Sequence, residues 1–68
     1  MKLVRFEDIS GKETFVNADR VNFISDYGSG TTEINFGGKE ATVYVAMEVS
    51  VVASTLLKAE KYSTFALK

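Results

Sequence analysis

The chain has 68 residues and neither cysteine nor histidine, which excludes disulfides, thiol catalysis, haem ligation and the usual zinc sites together. A hydrophobic fraction of 46% and a charged fraction of 25% belong to a globular protein rather than a disordered one. A formal charge of −1, with the basic residues scattered among acids, argues against a protein whose main affinity is for phosphate backbones.

Lys2 to Asp8 reads as a first strand closed by the turn Ser10-Gly11-Lys12, and Glu13 to Val16 as its hairpin partner. Asn17-Ala18-Asp19 predicts a bend, because both polar side chains bond their own backbone. Arg20 to Asp26 reads as the third strand; the adjacent apolar pair Phe23-Ile24 breaks strict alternation and points to a bulge or a second covered face. Tyr27-Gly28-Ser29-Gly30 is a flexible hairpin loop. It leads into Thr31 to Phe36, which places Thr32, Ile34 and Phe36 on a dry side and Thr31, Glu33 and Asn35 on a wet one. Gly37-Gly38 turns the chain into a fifth strand, Ala41 to Val45.

From about Met47 to Lys61 the period becomes helical, with Val49, Val52, Ala53, Leu56, Leu57 and Ala59 on one side. Met47 and Val51 sit off that stripe, and the tail from Tyr62 to Lys68 carries Phe65 and Leu67. The expected fold is α+β: a single domain, residues 1–68, with a five-stranded antiparallel sheet, bent or partly closed into an open barrel, and one C-terminal helix. Its expected core comprises Val4, Phe6, Phe15, Val21, Phe23, Ile34, Phe36, Val43, Val45, Val49, Val52 and Leu56.

Candidate chemistry is sparse. Asn17, Asp19 and Asp26 lie in different turns and lack the close, regular spacing of a calcium loop, so they read as turn formers. Gly28-Ser29-Gly30 and Gly37-Gly38-Lys39 join strand to strand, whereas a phosphate loop runs from strand into helix. Serines and threonines have no histidine base, and Glu7, Asp8, Glu33 and Glu40 would have to form a carboxylate pair on a very small sheet. The expectation is therefore a non-enzyme with no catalytic residue, cofactor or metal. The aromatic residues read as core, apart from Tyr44, which points opposite to Val43 and Val45 and is a candidate surface contact.

The segments Gly11-Lys12-Glu13-Thr14-Phe15-Val16-Asn17-Ala18-Asp19-Arg20-Val21 and Thr32-Glu33-Ile34-Asn35-Phe36-Gly37-Gly38-Lys39, followed by a strand and a helix, resemble the FlbD-like family of small flagellar-operon proteins. The resemblance spans roughly residues 3 to 57 and implies a small cytoplasmic accessory protein without catalytic residues. The element order also looks like the first half of LytTR-type DNA-binding domains. The small sheet, with Gly11 and Asp19, is similar to Sm-like RNA-binding rings, although their Arg-Gly motif is absent.

Small domains compensate for a thin core with disulfides, metals or self-association, and only the last is open to this chain. The expected function is a self-associating protein-interaction module, a homodimer or larger, with an unidentified protein partner as well. Met47, Val51, Phe65 and Leu67 are its candidate oligomer contacts. The alternative is a nucleic-acid-binding module with an Sm-like or LytTR-like oligomeric surface. Nothing in the sequence reads as a signal peptide or membrane span, and a cytoplasmic location is the default expectation.

Overall fold

The computed structural model describes residues 2–38 and 41–61. Its elements are β1 (Leu3–Glu7), β2 (Glu13–Asn17), a 3-10 turn (Ala18–Arg20), β3 (Phe23–Gly28), β4 (Thr31–Asn35), β5 (Thr42–Val45) and α1 (Val49–Lys61). The fold is α+β with antiparallel strands, as expected. They form two sheets, however, not one: β1-β2, and β3-β4-β5 in that order. Neither closes into a barrel.

The reason for the split lies at Asp8. One of its carboxylate oxygens accepts from Ser10 N–H (2.9 Å), Ser10 Oγ–H (2.7 Å) and Lys12 N–H (2.9 Å), turning the chain just where β1 reaches β5. Among the described residues, backbone pairing between the sheets is an antiparallel bridge at Asp8 and Val45. Two flanking bonds accompany it, from Ala46 N–H to Glu7 O and from Ile9 N–H to Tyr44 O, both 3.1 Å. The two sheets are thus paired at one corner and otherwise joined through a shared core.

Both sheets turn one face toward α1. The buried apolar core is Val4 and Phe6 from β1, Val16 from β2, Ile34 from β4, Val45 from β5 and Val52 from α1. Ala18, Val21, Ile24, Phe36, Val43, Met47 and Leu56 pack around it. Phe15 and Phe23, expected inside, are instead exposed.

Register explains both reversals. Opposite residues of an antiparallel pair share a face. Val16 lies opposite Val4 and goes inside, which sends Phe15, opposite Arg5, outside. Likewise Ile24 faces Ile34 across the pair, so Phe23 falls on the outer side opposite Asn35. The expected irregularity of β3 comes at its other end: register shifts between Asp26 and Gly28, leaving Tyr27 as the extra residue of a bulge.

The expected bend after β2 is the 3-10 turn, where Asn17 Oδ1 accepts from Asp19 N–H at 3.1 Å. The helix begins at Val49 rather than Met47, and the Glu48 carbonyl accepts from Val51 N–H and Val52 N–H, both 3.0 Å. Val52 and Leu56 turn toward the sheets, while Val51 and Leu57 face out.

Candidate interaction surface

The outer face of the three-stranded sheet is built by alternation. Once Ile24, Thr32, Ile34 and Val45 point to the core, Ser25, Glu33 and Tyr44 form a transverse row on the other side, as their pairing requires. Ser25 Oγ–H donates to Glu33 Oε1 at 3.2 Å. Tyr27, next in alternation after Phe23 and Ser25 and the extra residue of the bulge, lies against Tyr44, with ring centroids 4.8 Å apart and planes inclined by 58°. Tyr27 is 63% exposed. Partial burial pushes the Tyr44 phenol above its ordinary pKa, and the negative field of Glu33 adds to the shift.

The hairpin that presents these rings has an unusual backbone. Gly28, Ser29 and Gly30 have φ values of +94°, +55° and +74° in succession, and among the described residues Ser29 is the non-glycine with positive φ. Asp26 Oδ1 accepts from Gly28 N–H at 2.8 Å, which anchors the bulge. A cleft of about 320 Å³ separates this hairpin from the helix start and is lined by Asp26, Gly28, Ser29, Gly30, Glu48 and Val49.

The outer face of the two-stranded sheet carries Leu3 (46% exposed) and Phe15 (58% exposed), which are diagonal neighbours across the β1–β2 pair. Arg5, between them on the same face, pairs with Glu13. On its other side β1 meets β5 at the bridge, so this face adjoins the tyrosine-bearing one.

The candidate contact residues are placed in different environments. Tyr44 is on the outer face, partly covered by Tyr27. Val51 is 45% exposed on the helix, and Leu57 is 67% exposed. Met47 precedes the helix and lies half-buried against the core. Its carbonyl accepts from Thr32 Oγ–H at 2.7 Å. Phe65 and Leu67 lie outside the described residues.

Asn17, Asp19 and Asp26 are not brought together. Asn17 caps its turn, Asp19 pairs with Lys2 at 3.0 Å, and Asp26 belongs to the β3–β4 hairpin. No group of three or more metal-ligating residues occurs among the described residues. Among them, too, no helix is long and apolar enough to cross a membrane.

Phe15 and Phe23 are surface residues that sequence alternation alone did not mark. The signal that finds them is pairing register: Val4 and Phe6 fix the phase of β1 and hence of β2, and Ile34 fixes that of β3 through Ile24. No family model, curated protein or solved structure matches the chain.

Proposed function

We propose that the protein is a non-enzymatic, self-associating protein-interaction module that works through the outward faces of its sheets. One observation carries this reading: large apolar side chains are as prominent outside as inside. Leu3, Ile9, Phe15, Phe23, Tyr27, Val51 and Leu57 are exposed, against a buried apolar core of Val4, Phe6, Val16, Ile34, Val45 and Val52. Single exposed apolar residues are ordinary, but neighbouring ones on one face favour contact with another protein. Leu3 and Phe15 are such a pair, and a patch of this kind can meet its own copy across a two-fold axis.

Backbone amide NMR spectra recorded over a dilution series test the reading. It expects concentration-dependent shifts confined to an outward face: Leu3 to Arg5 and Thr14 to Val16 for association through the two-stranded sheet, or Val51 to Leu57 for the helix. Spectra identical from millimolar to low-micromolar concentration would refute self-association. Titration with single- and double-stranded oligonucleotides at low salt discriminates the nucleic-acid alternative, whose binding must weaken steeply as salt rises.

A further inference from the structure

We propose that the Tyr27–Tyr44 pair and the Glu33 carboxylate beside it form a docking point for an arginine-bearing extended segment of a partner protein. The proposal rests on the protein-interaction reading and names the chemistry of the partner. A guanidinium is the group this surface suits. It is planar, it is attracted to the negative face of an aromatic ring, and it also bonds carboxylates in a fixed fork.

Three observations support that assignment. The first is geometry. Glu33 lies directly opposite Tyr44 in the β4–β5 register, and the Tyr27 ring lies 4.8 Å from that of Tyr44, so a carboxylate and two aromatic rings share one small area. Burial first and then the negative charge of Glu33 raise the Tyr44 phenol pKa, in keeping with that placement. The second is charge. Between Arg20 and Lys58 the sequence has a single basic residue, Lys39, against Asp26, Glu33, Glu40 and Glu48. The strands β3, β4 and β5 themselves contain Asp26 and Glu33 and no base. No lysine or arginine of these strands competes for the rings, and an anionic partner would meet repulsion.

The third is the edge. Among the described residues β3 is an edge strand of its sheet, which offers an extended segment a run of backbone groups beside Tyr27. Ser25, on that strand, holds the Glu33 carboxylate through its hydroxyl and so fixes the acid over the sheet.

The test is an amide NMR titration of the full chain with a capped peptide of alternating glycine and arginine, beside its citrulline counterpart, which keeps the shape and loses the charge. The expected result is saturable shifts centred on Ser25 to Gly28, Glu33 and Tyr44 with the arginine peptide. The citrulline peptide should bind about fivefold more weakly or worse, as should the arginine peptide to Glu33→Gln and to Tyr44→Leu. Retained dispersion of the Glu33→Gln spectrum shows that this variant is folded. Equal affinity for both peptides, unchanged affinity in a folded Glu33→Gln, or shifts confined to other faces would overturn the proposal. So would an oligonucleotide binding at the same residues. Sedimentation of the peptide-free sample reports association between copies separately, so failure of the docking point and failure of self-association are distinguishable.

Discussion

Thr32 couples the three-stranded sheet to the helix. Its side chain is fully buried, and its hydroxyl donates to the Met47 carbonyl at 2.7 Å, just before α1 begins. Thr32→Val keeps the shape, removes the donor and leaves that carbonyl without it. The expected loss is about 1–3 kcal/mol in urea denaturation, the range for a polar group deprived of its partner. A change below about 0.5 kcal/mol, the ordinary scatter of surface substitutions, would contradict this role.

Asp8 acts at the same scale through charge. Bonds from Ser10 and Lys12 favour its ionised form and hold its pKa below the ordinary carboxylate value. The folded pKa is therefore lower than the unfolded one. Its contribution is full above about pH 4 and is lost as pH falls through the folded value. The amide oxygen of Asp8→Asn can accept the same bonds without titrating, so the variant should lose less stability than the parent between pH 4 and pH 2. An identical acid slope in urea melts of the two proteins would show that Asp8 is not the responsible group.

At the scale of elements, the β3–β4 hairpin is the most demanding connection. Its two loop residues, Ser29 and Gly30, both have positive φ, the condition of a type I′ turn, in which asparagine is preferred at the first position. Ser29→Asn should raise stability by about 0.5 kcal/mol, because asparagine tolerates the left-handed region better than serine. A lower melting temperature for the variant would contradict the turn assignment.

Much of the element order is legible in the sequence. β4 shows it best, since Thr32 and Ile34 alternate with polar neighbours and both are buried. The helix is legible for the same reason: Val52 and Leu56 recur at helical spacing, and both pack into the core. Phe15 is not legible from its own segment, because Phe15 and Val16 are adjacent and equally apolar. Only the pairing of Val16 with Val4 decides between them. Nor does the sequence reveal that the sheet divides, which depends on the Asp8 side chain turning β1 away after one bridge to Val45. Asn35 departs from the pattern differently. It alternates onto the wet side yet is buried, because its side chain accepts from Gly37 N–H (2.7 Å) and donates to Gly38 O (3.3 Å) and Thr42 Oγ (3.2 Å). The aromatic part of the candidate surface follows the same logic. Tyr44 is visible by alternation, whereas Tyr27 joins it because β3 runs on to Gly28, past the Asp26 at which the sequence pattern ends the strand.

At the scale of the whole molecule, the two sheets grip one helix on their inner side and present apolar side chains on their outer side. A domain of this size has a narrow stability margin, and covering Leu3 and Phe15 against a second copy would bury further apolar surface. Sedimentation equilibrium at micromolar concentration tests self-association most directly. The expected result is a mass of at least twice the 7.5 kDa chain, falling toward the monomer in Phe15→Glu if the two-stranded sheet forms the contact, or in Val51→Lys if the helix does. A parent protein that sediments as a single 7.5 kDa species across the concentration range would contradict it.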